Sequence, residues 1–153
     1  MNFPQRFEDG LVGITASYSL LPNGKVRVLN SGYIGDFNGN LKTVKVKAWI
    51  ADKKINAKLK VSFFWPFAED YWIIELWKDY ECAVIGEGSR RYHWILSRTP
   101  NMGMTIIDGI MGRLKGNGFN IARLENNPPK SCIEDSLVRS HLAFVLFFLK
   151  VVN

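Results

Sequence analysis

Arg91-Tyr92-His93-Trp94-Ile95-Leu96-Ser97-Arg98-Thr99-Pro100 is the stretch whose reading decides the fold. Tyr92, Trp94 and Leu96 alternate with His93, Ile95 and Ser97, the period of a β-strand whose two faces meet different surroundings. One face is wide and aromatic. Pro100 lacks the amide hydrogen that would continue a ladder and biases Thr99 toward extended backbone, so the strand stops there and Arg98 falls at its rim. An arginine in that place calls for a carboxylate, an aromatic face or plain water.

The same alternation recurs upstream. Val12 to Leu20 places Ile14, Ala16, Tyr18 and Leu20 opposite Thr15, Ser17 and Ser19, and Pro22-Asn23-Gly24 turns the chain into a second arm, Lys25 to Tyr33. There Val26 and Val28 share a face. In Lys42 to Ala51, Val44, Val46, Ala48 and Ile50 oppose Lys45 and Lys47, and in Ala57 to Trp65, Leu59, Val61 and Phe63 oppose Lys58, Lys60 and Ser62. Tyr71 to Trp77 is apolar on both faces, which calls for a helix over its outer side. Glu81 to Gly86 leads into the central strand. Seven strands at intervals of about ten residues describe an antiparallel up-and-down meander that curls into a barrel or sandwich, an all-β fold.

A helix follows from Met104 to Lys115. Ile106, Ile107, Ile110, Met111 and Leu114 lie on one side at helical spacing, while Gly109 and Gly112 cost about 1 kcal/mol each, so packing must hold it. Gly118 reads as its stop, and Asn126-Asn127-Pro128-Pro129 ends regular structure. The apolar run Leu142 to Leu149 is too short to span a bilayer, which takes about 20 residues. It reads as an atypical terminus without an evolved role, or as a packing or membrane-surface helix.

Composition bounds the function. A chain of 153 residues with 47% hydrophobic content makes one domain with a real core. Its formal charge of +6 favours acidic partners only weakly, because the basic residues are dispersed. Cys82 and Cys132 lack metal-site or disulfide-scaffold spacing, so no metal and no cofactor are expected. Residues 1–9 have no apolar core and no lipidation cysteine, and are expected to carry no secretory signal.

Residues 92–100, preceded by Asp79-Tyr80-Glu81-Cys82-Ala83-Val84-Ile85-Gly86, closely resemble the bacterial outer-membrane lipocalins and their plant and animal relatives. Phe3-Pro4-Gln5-Arg6-Phe7, Thr15 to Leu20 and Leu59 to Phe64 agree in the same order, so the resemblance covers a lipocalin domain at residues 1–124 and leaves 125–153 as an atypical tail. It implies an eight-stranded lipocalin barrel with a C-terminal helix on its wall, holding a small apolar ligand: binding, not catalysis. The family's first strand, with its Gly-x-Trp-Tyr motif, and its acylated cysteine are not found here. Arg98, which matches the arginine stacked on that strand's Trp, is expected to be structural. An outer-membrane or periplasmic location, a fatty acid or lysophospholipid ligand and contact with a membrane surface are further implications.

Periodicity alone does not choose the inward face, and on the residues alone a solid core is the favoured reading. The resemblance reverses this and selects as ligand-facing Ala16 and Tyr18, Val26 and Val28, and Val46, Ala48 and Ile50. From the later strands it selects Leu59, Val61 and Phe63, Tyr71 and Ile73, Ala83 and Ile85, and Tyr92, Trp94 and Leu96. Such a lining suits acyl chains, since each buried methylene contributes about 0.8 kcal/mol. Tyr18, Tyr71 and Tyr92 are available to orient a polar head. Two other classes compete. An enzyme acting on a lipid would use Glu75, which shares the alternation of Tyr71 and Ile73, as headgroup ligand or base, although a solvated rim residue is the plainer reading; His93 points to the opposite face and His141 lies in the tail. A nucleic-acid-binding barrel would pair Lys45, Lys47, Lys58 and Lys60 with exposed Trp49 and Trp65, but most aromatics are assigned inward, so no nucleic-acid partner is expected.

Overall fold

The first hairpin closes on turn chemistry. Leu21 N–H donates to the Lys25 carbonyl and Gly24 N–H to that of Leu21, with Gly24 at φ +77°, where L side chains are strained. The computed structural model describes residues 8–126, apart from 53, 91, 100, 101 and 123, together with residues 144–151. Pro100, the turn at Asn127-Pro128-Pro129, Cys132, His141 and the motif Phe3 to Phe7 lie outside the described residues.

The hairpin joins β1 (Leu11–Leu20) to β2 (Val26–Ile34), and β3 (Leu41–Ile50), β4 (Lys58–Ser62), β5 (Glu69–Leu76), β6 (Cys82–Gly86) and β7 (His93–Ser97) follow, each antiparallel to its predecessor. A single 3-10 turn, Lys78–Tyr80, separates β5 from β6, and α1 (Met104–Gly116) follows β7. These are the seven strands and the helix read from the sequence, and the sheet curls as an antiparallel barrel.

The C-terminal apolar run corrects the sequence reading. Instead of a helix it forms a strand, β9 (Phe144–Val151), preceded by a short β8 (Leu124–Asn126) that pairs with its far end. β9 is antiparallel to β7 through Phe147 to Lys150 and to β1 through Phe144 to Phe147, so it stands between the first and seventh strands and closes the sheet. Aromatic and β-branched residues favour the pleated backbone, and the edges of β1 and β7 supply hydrogen-bond partners on both sides.

Two bulges shift the alternation. In β1 the register slips between Val12 and Thr15, around Gly13 at φ +60°, where a Cβ would collide with Phe37; Leu11 and Ile14 both enter the core in consequence. In β5 it slips between Ile73, opposite Ile85, and Glu75, opposite Val84, leaving Ile74 as the extra residue.

Two apolar layers result. Inside the barrel, Ile14, Ala16, Val28, Val46, Ala48, Ala83, Ile85 and Leu96 form the buried core. Outside it, Ile110 and Leu114 of α1 pack on Cys82, Val84 and Ile95, with Ile74 and Trp77 half-buried beside them, which is the helical cover that β5 calls for. Burial pushes the Cys82 thiol up to about 11, aided by the Glu81 and Glu75 carboxylates, so it packs as an inert thiol. The helix ends in a Schellman arrangement: Phe119 N–H donates to the Leu114 carbonyl and Gly118 N–H to that of Lys115, with Gly118 at φ +80°. That turn sets Phe119 edge-on to His93, ring centroids 5.2 Å apart, above Gly86, where a side chain would meet Ile74 and Phe119.

His93 is fully buried, and among the described residues neither ring nitrogen has a hydrogen-bond partner. Burial holds its pKa below the ordinary value, so the unfolded chain takes up the proton first. Stability from this site is therefore complete above the unfolded pKa of about 6.5 and falls as the pH drops from there toward the folded-state value. We expect the Tm to decline between about pH 7.5 and 5, and to decline less in His93→Phe. Parallel pH profiles for the two proteins would contradict this.

Candidate functional site

Among the described residues, the inward faces line two cavities stacked along the barrel axis. The larger, about 450 Å³, lies toward the hairpin turn at residues 21–25 and is lined by Tyr18, Val26, Leu59, Tyr71, Ile73, Ala83, Ile85 and Leu96. Leu76, Tyr80 and Arg98 complete its wall, with Leu76 and Tyr80 49% and 58% exposed at the mouth. The smaller, about 50 Å³, lies toward the loop at residues 35–40 and is lined by Val28, Val46, Ala48, Val61, Phe63 and Trp94 together with Glu8, Asn30, Glu69 and Asp70.

Tyr18 and Tyr71 line both cavities and stand between them, their hydroxyl oxygens 2.7 Å apart. Burial pushes the Tyr18 pKa up to about 12 and that of Tyr71 well above its ordinary value, so both phenols are neutral. One hydroxyl donates to the other, which leaves the acceptor's own proton to be offered to a third group. Tyr71 also stacks on Trp94, centroids 6.3 Å apart and planes at 30°.

Of the positions assigned to the ligand face, fourteen reach one cavity or the other and three do not. Ala16 is fully buried in the inner core without lining either. Ile50, the last residue of β3, is 45% exposed, and Tyr92 precedes the ladder, which begins with His93 opposite Gly86. Asn30, missed in the sequence, continues the alternation of Val26 and Val28, and that spacing was its available signal.

Arg98 lies on the larger cavity, its Nε donating to the Tyr80 carbonyl at 2.6 Å and its backbone N–H to the Glu81 carbonyl at 2.9 Å. Trp49 is on the outer wall beneath Lys25, 5.9 Å from the ring centroid, and Trp65 is 84% exposed.

Glu75 overturns its assignment. The bulge at Ile74 turns both residues outward and brings Leu76 in, so Glu75 leaves the pocket face and meets Arg113 of α1, whose Nε lies 3.0 and 3.1 Å from the two carboxylate oxygens. The Arg113 guanidinium lies 5.3 Å from the Trp77 centroid, so one side chain ties the helix to the end of β5. Glu75→Gln is expected to leave ligand affinity unchanged and lower unfolding free energy by about 0.5–1 kcal/mol, read by denaturant titration. A loss of binding without a loss of stability would return Glu75 to the pocket.

An antiparallel barrel with an internal apolar cavity and one helix on its wall defines a class of ligand-holding β-barrels. Comparison with known proteins narrows the class. The lipocalin-like domain family matches residues 1–129. The outer membrane lipoprotein Blc of Escherichia coli is 37% identical over 121 residues, covering 79% of this chain and 68% of the relative. Temperature-induced lipocalin-1 of Arabidopsis thaliana is 35% identical over 136 residues, covering 83% and 72%, and apolipoprotein D of Macaca fascicularis is 31% identical over 143, covering 87% and 72%. The chain belongs to the lipocalin family, and that membership supports a hydrophobic-ligand-binding role.

Proposed function

We propose that this protein binds single-chain lipids, fatty acids or lysophospholipids, inside the barrel and serves the upkeep of membrane lipid in the cell envelope. The observation that carries the reading is the larger cavity: its volume of about 450 Å³ falls within the roughly 300–1,000 Å³ of ordinary ligand sites, and its wall is almost wholly hydrocarbon. Such a wall rewards each methylene it covers and asks no hydrogen-bond pattern of a chain. The Tyr18–Tyr71 pair supplies one polar point along the path.

The envelope location rests on the similarity to outer membrane lipoproteins. Contact with a membrane surface is supported by Phe64, Trp65 and Phe67, which are 69%, 84% and 76% exposed on the loop between β4 and β5. No helix among the described residues is long and apolar enough to cross a membrane. Binding without turnover is supported by Glu75, the carboxylate an enzymatic reading would enlist, being engaged by Arg113 outside the barrel.

Titration with a long-chain fatty acid or lysophospholipid at micromolar concentration is expected to change the tryptophan emission through Trp94. Trp94→Ala should weaken binding about tenfold, since it removes a large apolar wall beside Tyr71, whereas Trp49→Ala on the outer wall should not. Absence of binding by any apolar probe refutes the reading, and equal effects of the two substitutions refute the assignment of faces.

A further inference from the structure

Basic residues that are dispersed along the sequence are gathered by the fold. Strands β2, β3 and β4 contain Arg27, Lys42, Lys45, Lys47, Lys58 and Lys60 and not one Asp or Glu. Val28, Val46 and Val61 enter the core, so alternation puts Arg27, Lys45, Lys47 and Lys60 on the outer wall. Arg27 lies directly opposite Lys47, and both are exposed, as is Lys45. Like charges facing each other across a strand pair destabilise it. Among the described residues no carboxylate pairs with these three cations, the nearest in the ladder being Asp70 of β5, which pairs with Lys60 at 2.8 Å. Asp36 and Asp52 lie in the loops at either end of β3 and accept the backbone N–H groups of Asn38 and Lys54, while Glu69 is on the cavity side.

We infer that the outer wall of β2 and β3 is a docking surface for an anionic lipid bilayer, with the loop at residues 63–68 entering the headgroup layer at its edge. This rests on the membrane-contact reading above and deepens it by naming the surface and the charge of its partner. Ser62, the last residue of β4, lies opposite Lys47, so the loop that carries Phe64, Trp65 and Phe67 leaves the sheet beside the cations. Exposed aromatics favour the boundary between headgroups and acyl chains, and lysine or arginine close to an anionic leaflet adds electrostatic attraction. The barrel then lies tilted, its loop edge down and Arg27, Lys45 and Lys47 over the phosphates. A single-stranded nucleic acid would instead stack its bases on aromatic faces within the basic wall. On that side Trp49 and Trp72 already carry Lys25 and Lys58 over their rings, 5.9 and 4.5 Å from the centroids, which favours lipid as the occupant.

The test is sedimentation of the full chain with vesicles of phosphatidylcholine, with and without phosphatidylglycerol. It compares the unmodified chain with Lys45→Gln/Lys47→Gln and with a charge-matched control, Lys78→Gln/Lys115→Gln, whose lysines are exposed on the 3-10 turn and on α1. Binding is expected on the phosphatidylglycerol vesicles, declining as ionic strength rises, and is expected to weaken about tenfold in Lys45→Gln/Lys47→Gln but far less in the control. Equal losses in the two double variants mean attraction by net charge and overturn the wall. Equal binding to the two kinds of vesicle overturns the anionic partner, and tighter binding of single-stranded DNA than of either overturns the lipid assignment. Trp65→Ser should also weaken vesicle binding; no effect overturns the orientation. Lys45→Gln/Lys47→Gln should leave the fatty-acid titration of Trp94 unchanged. Absence of vesicle binding by the unmodified chain, with that titration intact, removes this inference and leaves the cavity reading standing.

Discussion

Closure of the sheet is the constraint on which everything else depends. A curled sheet with two free edges exposes a row of unpaired amides and carbonyls on each edge strand and leaves its apolar inner face open along the gap. In this protein the strand at Phe144–Val151 lies between β1 and β7 and hydrogen-bonds to both, so every strand of the ring has two neighbours. The cavity follows from that closure, because an apolar groove becomes a chamber only when its wall is continuous. The chain fills this eighth place in the ring with its own C-terminal segment.

The outer layer depends on the inner one through β5. A single extra residue at Ile74 sends two consecutive side chains outward, one apolar and one acidic, and these are the two contacts that α1 needs: Ile74 for its buried stripe and Glu75 for Arg113. The Schellman turn then carries Phe119 over His93 and Gly86, which ties the helix C-terminus to β6 and β7. A helix with Gly109 and Gly112 in its middle has little intrinsic preference for helicity, and its formation is a consequence of these tertiary contacts.

Much of this was legible in the sequence. Most of the strands were marked by alternation and by Pro, Asn and Gly at their ends, and the helix by its isoleucine spacing. The two-sided apolar pattern of β5 announced a cover before any helix was placed on it. What period-two reading cannot see is a bulge, because the bulge changes the count without changing residue types; Glu75 was assigned inward for that reason. It also cannot weigh strand ends, where Ile50 is exposed and Tyr92 precedes the ladder. The strand at 144–151 was hidden differently. A short apolar run is equally consistent with several structures, and only the free edges of two strands more than forty residues upstream decide its conformation.

The most direct test of this account is residue-resolved amide hydrogen exchange on the full chain. Successive amides of a strand point to alternate neighbours, so in β1 and β7 one set faces β2 or β6 and the other faces β9. The account predicts that consecutive amides across residues 15–18 and 95–97 are all slow to exchange, as in an interior strand. Protection of every second amide, with the intervening ones exchanging like those of an edge, would contradict it and show that the barrel is open between its first and seventh strands.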